Sequence, residues 1–211
     1  MDYLHPIEAL IPGARGQVLA ALTRDISSRT IRQLSLDAGV SWSRTSEVVE
    51  DLVELGLVQR RSTPGAVLVH LVEENLVVQR LQEMSDLRAA CIDGLRRAAK
   101  KIRPAPLGLV VFGSFARGTA RRNSDIDAVA VRAESVAETK SWSETMGRWA
   151  VEAAAITGNP VNLIEVAADE LTSTAGRPRA WVRDASEQGI VILGRPLQEL
   201  IAASPARSAR G

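Results

Sequence analysis

Residues 110–131 read VVFGSFARGTARRNSDIDAVAV. An apolar run meets the pair Gly113–Ser114, a basic loop carries Arg117, Arg121 and Arg122, and Asp125 and Asp127 then stand one residue apart at the head of a second apolar run. Short apolar runs bounded in this way predict two buried strands. Side chains alternate across a strand, so Asp125 and Asp127 are expected on one face, with Ile126 and Ala128 on the other. In a poorly solvated place two such carboxylates stay ionised together only with a cation between them; otherwise one takes a proton. Oxygen ligands on a short β-scaffold suit Mg²⁺, which keeps several waters and accepts phosphate oxygens.

The Gly113–Ser114 pair lies where the first strand gives way to the start of a helix near Phe115. Glycine permits close approach of a phosphate to the backbone, and free amides together with the Ser114 hydroxyl can hold it. Arg117, with Arg121 and Arg122, offers positive charge for a leaving pyrophosphate, although capping of the helix by Arg117 and simple solvation of the other two are the competing readings.

Working outward, the C-terminal half alternates strand and helix. LGLVVFG and SDIDAVAV are strands, ETKSWSETMGRWAVEAAAITG is a helix with Trp142, Met146 and Trp149 on a core-facing side, and PVNLIEV is a third strand. Helical stretches follow around 167 to 188, then the short run GIVILG, a helix from Pro196, and a tail, SPARSARG, of disordered composition. The class is α/β (α+β).

In the N-terminal half, Val18, Leu19 and Leu22 mark a helix over 14–25. Ile31 and Leu34, then Val48, Val49, Leu52 and Val53, predict two more helices joined by a tight turn at Gly39, with Ser41 or Ser43 as cap. Two β-type runs flank Thr63-Pro64-Gly65. Residues 75–106 read as a linking helix stopped by the prolines at 104 and 106. The expected organisation is therefore 1–74, the linking helix 75–106, a second domain 107–196, and a terminal helix and tail 197–211.

Composition narrows the classes. Apolar residues are 45% and charged residues 24%, which predicts a folded chain. The 26 basic and 25 acidic residues nearly cancel, so any contact with nucleic acid must be local. One cysteine, Cys91, supports neither an internal disulfide nor a thiolate zinc site, and His5 and His70 lack ligand-spaced neighbours. No run approaches the length of a membrane span and no leader pattern opens the chain, so a cytoplasmic location is expected.

GSFARGTARRNSDIDAVAV closely resembles the signature of the nucleotidyltransferase superfamily typified by DNA polymerase beta, above all its small prokaryotic members, over about residues 107–194. The resemblance implies a mixed sheet flanked by helices, a nucleoside triphosphate held at Gly113 and Ser114, with Arg117 counted among the nucleotide-binding residues for its charge, and Mg²⁺ on the catalytic pair Asp125 and Asp127. The implied reaction is in-line attack of a hydroxyl on the α-phosphate with release of pyrophosphate. The family usually places a third carboxylate on the next strand. Here that position reads Asn162, a neutral ligand and a poor base, and Glu165 is an odd number of residues away and so faces the other side.

Residues 10–74 resemble a winged helix-turn-helix domain. In a DNA reader of that type Ser41, Trp42, Ser43, Arg44 and Thr45 meet base edges and Arg60 and Arg61 form the wing. Glu47, Glu50, Asp51 and Glu54 form an acidic stripe on the same helix that would repel phosphates, so assembly of a homodimer or positioning of a partner is the alternative. Two functions are expected to compete: a Mg²⁺-dependent nucleotidyltransferase with a protein, RNA or small-molecule acceptor, and a DNA-binding regulator that senses a nucleotide without turning it over.

Overall fold

The structure, a computed structural model, describes residues 1–133, 140–171 and 180–203. The chain divides into two compact units, Leu4–Leu87 with Asp2, and Arg88 onward with Met1 and Tyr3.

The first unit opens with α1 (Pro6–Leu10) and α2 (Ala14–Arg24), followed by β1 (Arg29–Thr30), α3 (Ile31–Ala38), α4 (Trp42–Glu54), β2 (Val58–Thr63), β3 (Ala66–Leu71) and α5 (Leu76–Glu83). A capping box starts α3: the Thr30 hydroxyl accepts from the Gln33 amide, and the Gln33 side chain accepts from the Thr30 amide. Gly39, at φ +63°, ends that helix in the left-handed conformation, and Ser41, not Ser43, caps α4. The strands form an antiparallel sheet in the order β1-β3-β2. Val18, Leu19, Leu22, Leu34, Val48, Val49, Leu52 and Val69 close the core beneath it. Neither α1 nor β1 is expected from the sequence; β1 is two residues long, too short for any alternation to show.

The expected linking helix is not a single helix. Residues 76–83 form α5, Met84–Asp86 tighten into a 3-10 turn, and α6 spans Leu87–Ala99. Ser85 and Asp86, both weak helix formers with side chains that compete for backbone groups, occupy the tightened turn.

The second unit adds β4 (Gly108–Phe112), the single turn α7 (Gly113–Ala116), β5 (Ile126–Arg132), α8 (Lys140–Thr157), β6 (Val161–Ala167), α9 (Ala180–Gln188), β7 (Ile190–Gly194) and α10 (Leu197–Ala203). The sheet runs β6-β5-β4-β7, with β5 and β6 parallel and the other two pairs antiparallel. This is the mixed sheet flanked by helices that the resemblance implies. Every residue of β4 is buried, as its unbroken apolar run requires. One sheet face packs Val110, Phe112, Val129, Val131 and Val166 against Leu171, Val182, Ala185, Leu197 and Leu200. Trp142, Met146 and Trp149 of α8 are buried, as read from their spacing. Residues 138–139 of the expected α8, part of the helical stretch expected around 167–188, and the tail from 204 lie outside the described residues. Among the described residues no helix is long and apolar enough to cross a membrane.

Candidate active site

The site is built where β4 ends. Gly113 adopts φ +72°, which turns the chain out of the strand and into α7. The turn is closed by Arg117 N–H donating to the Gly113 carbonyl at 3.1 Å and Gly118 N–H to the Phe115 carbonyl at 3.1 Å. Thr119 N–H donates to the Ser114 carbonyl at 2.8 Å. Arg88 of α6 secures it further: its Nε donates to the Phe115 carbonyl at 2.8 Å and its Nη2 to the Ala116 carbonyl. The Arg88 guanidinium also lies over the Phe115 ring, 5.8 Å from its centroid, and Tyr3 meets that ring edge-on at 5.0 Å. Burial, and then the neighbouring Cys91, pushes the Tyr3 phenol above its ordinary pKa.

Three side-by-side strands bring Phe112, Asp127 and Asn162 into one row, since Phe112 pairs with Asp127 across β4–β5 and Asp127 with Asn162 across β5–β6. Asn162 Nδ2 donates to Asp127 Oδ1 at 3.1 Å. The other Asp127 oxygen lies against Gly113: a Cβ there would stand 2.5 Å from Oδ2. The bare Cα of Gly113 is therefore what admits this carboxylate to the turn. Asp125 is placed differently from the expectation of a buried pair. β5 begins only at Ile126, so Asp125 lies beyond the sheet and is exposed, while Asp127 is half-buried.

Residues 92–171 match the nucleotidyltransferase domain family. The match contains the Gly113 turn, both aspartates and Asn162. Two solved structures are similar to part of the chain. One is a toxin–antitoxin complex with AMP-PNP, at 22% identity and a TM-score of 0.37, covering 53% of this chain and 80% of that one. The other is a double aspartate-to-glutamate mutant of the toxin–antitoxin pair MntA–HpeT, at 20% identity and a TM-score of 0.38, with the same coverage. Comparison with curated proteins gives no match.

Within the matched region the position beside Asp127 on β6 is Asn162. Among the described residues no three His, Cys, Asp or Glu side chains gather to hold a metal. Glu165 pairs in register with Ala130 and accepts from the Ser143 hydroxyl of α8 at 3.4 Å, away from the Asn162 face. Arg117 Nη1 donates to both carboxylate oxygens of Asp184 on α9 at 3.0 Å, so its charge is matched within the protein. Arg121 and Arg122 are exposed in the loop. Two residues that sequence reasoning passed over, Arg88 and Asn159, fix backbone on either side of the site. Neither leaves a signal in a single sequence: Arg88 reads as one more helix arginine, and Gly158-Asn159-Pro160 as a plain turn.

The residues suggested for DNA reading in the first unit are unevenly available. Ser41 spends its hydroxyl accepting from the Arg44 amide, and Thr45 is buried with its hydroxyl on the Ser41 carbonyl. Arg44 pairs with Glu47 at 2.6 Å and Arg60 with Glu50 at 3.4 Å. Ser43 and Arg61 are exposed, and Trp42 is 60% exposed at the head of α4. Thr45 is thus a core residue, and two of the three arginines, Arg44 and Arg60, are compensated by the acidic stripe.

Proposed function

We propose that the nucleotidyltransferase domain binds a nucleoside triphosphate with Mg²⁺ and transfers the nucleoside monophosphate to a hydroxyl of a protein, RNA or small-molecule acceptor. The observation that carries this reading is the meeting of the Gly113 turn with Asp127: the positive-φ glycine admits the Asp127 carboxylate where β4 ends, with Ser114 next in the chain and Asp125 two residues before Asp127. The donor set fits the metal, since Asp125 and Asp127 are oxygen ligands at a solvent-accessible strand end and Asn162 can add a carbonyl oxygen. Mg²⁺ on those two carboxylates would supply the charge that a triphosphate and its departing pyrophosphate require.

The chain's own groups have separate tasks. Gly113 leaves room for the Asp127 carboxylate at the turn, and the Ser114 hydroxyl can donate to a phosphate oxygen. Asn162 orients Asp127 by its hydrogen bond, but an amide takes up no proton, so the proton of the attacking hydroxyl leaves to water or to a base on the acceptor. Turnover by this chain alone is therefore slow, and a well-placed acceptor base raises it. The first unit is proposed to recognise DNA, the acceptor or a partner.

The Asp127–Asn162 hydrogen bond also favours a second reading, a regulator whose winged helix-turn-helix unit binds DNA and whose second unit senses a nucleotide without transferring it. Incubation of the pure protein with α-phosphate-labelled triphosphates, alone and with cell protein, RNA and metabolite fractions, separates the two. Label passed to an acceptor and lost in Asp127→Asn supports transfer. Nucleotide binding without any transfer, together with a DNA complex that responds to the nucleotide, supports the regulator.

A further inference from the structure

Asp125 lies outside the sheet, so the strand ladder that aims Asp127 does not aim it. Its place depends on the backbone groups that flank it, and both are tied to the same short connection between α8 and β6. On one side Asn159 Nδ2 donates to the Ser124 carbonyl at 2.7 Å. On the other, the Ile126 amide donates to the Pro160 carbonyl at 2.8 Å. Ser124 is braced in turn within its loop, with its amide on the Arg121 carbonyl at 2.9 Å and its hydroxyl accepting from the Arg121 amide at 2.9 Å.

Asn159 is only 2% exposed, which is unusual for an amide side chain. Its Oδ1 accepts from the Met1 amino group at 2.7 Å, its Nδ2 also reaches the Met1 carbonyl at 3.5 Å, and its amide donates to the Thr157 hydroxyl at 3.4 Å. A buried amide with its polar atoms engaged is held in one orientation, because losing a partner costs the desolvation of the group left behind. The short bond to Ser124 therefore transmits a fixed position to the residue next along the chain.

We propose that Asn159 is a positioning residue that sets Asp125 relative to Asp127 for cation binding; this rests on the nucleotidyltransferase reading of the site. Two carboxylates that share a cation must be held to within about 0.5 Å of the productive geometry, and one of this pair has no strand to hold it. Asn159 touches neither nucleotide nor cation. It acts through the Ser124 carbonyl.

The test is titration of the full chain with Mn²⁺, read by the paramagnetic signal of the free ion, with and without a non-hydrolysable ATP analogue. Wild type, Asp125→Asn, Asn159→Ser and Asn159→Asp are compared. Asn159→Asp keeps the shape and loses the donor, and Asn159→Ser withdraws from the contact without burying a charge, so a folding failure of the first leaves the second. Circular dichroism verifies the fold of each. The expected result is a Kd for Mn²⁺ raised about tenfold in both Asn159 variants, approaching that of Asp125→Asn, with binding of the analogue in chelator unchanged. Folded Asn159 variants with wild-type Mn²⁺ affinity would overturn the role given to Asn159 while leaving the site intact. Wild-type protein whose Mn²⁺ binding is indifferent to Asp125→Asn would instead overturn the nucleotidyltransferase reading, and the proposal with it.

Discussion

Asp127 and Asn162 face each other across the parallel β5–β6 pair, and the amide nitrogen of Asn162 donates to Asp127 Oδ1 at 3.1 Å. A carboxylate in place of that amide would add a charged ligand and a proton acceptor, neither of which a neutral amide provides. Asn162→Asp is therefore expected to raise the rate of nucleotide transfer, by about 10²-fold where proton removal limits turnover. It should also lower the melting temperature in chelator, through repulsion from Asp127, with Mg²⁺ restoring it. Single-turnover transfer assays and paired melting curves measure the two effects.

Gly113 has a second test of its own. A methyl group at this position meets Asp127 Oδ2 at 2.5 Å on a backbone of φ +72°. Gly113→Ala should cost about 1–2 kcal/mol from the left-handed conformation alone, and should displace Asp127 from the turn. Denaturant unfolding reads the first effect and Mg²⁺-dependent nucleotide binding the second. Ser114→Ala, with no such clash, should leave stability within about 0.5 kcal/mol.

Arg88 supports the turn from α6 through the Phe115 and Ala116 carbonyls. Arg88→Ala removes two charge-assisted donors and the cation over the Phe115 ring, so a loss of roughly 2–3 kcal/mol is expected in chemical denaturation. Arg88→Lys keeps the charge but not the fork that reaches both carbonyls, and should recover less than half of that loss.

Tyr3, the single tyrosine of the chain, provides a pH test. Burial holds its phenol above the ordinary value of 10.0, so the fold favours the neutral form. The stability this contributes is complete below the unfolded value and is lost as pH rises above it. Melting temperature should fall above pH ~10 in wild type, and Tyr3→Phe should flatten that limb. The phenolate absorbance of folded protein should appear only at higher pH than that of protein in denaturant.

The stretch from Val110 to Val131 made the second unit legible because each of its features is local. The unbroken apolar run of β4, the glycine that leaves it and the alternation of β5 are all visible within a few residues, and so is the substitution at Asn162. The exposure of Asp125 was not legible, because the first paired residue of β5 is fixed by how far β4 and β6 extend beside it. Arg88 and Asn159 were hidden for a related reason: each acts on backbone 27 and 35 residues away in the chain, where no periodicity points. In the first unit, the helical pattern of Val48, Val49 and Leu52 marked α4, and the same periodicity placed Thr45 in the core, although the resemblance had set it among base-reading residues.

Asp125 and Asp127 are proposed to bind a triphosphate together with Mg²⁺. Calorimetric titration of wild type and Asp127→Asn with each of the four ribonucleoside triphosphates, with Mg²⁺ and in chelator, tests this most directly. Mg²⁺-dependent binding of at least one triphosphate, lost in the variant, is the expected result; binding that is unaffected by chelator and by Asp127→Asn, or no binding of any triphosphate, would overturn the proposed site.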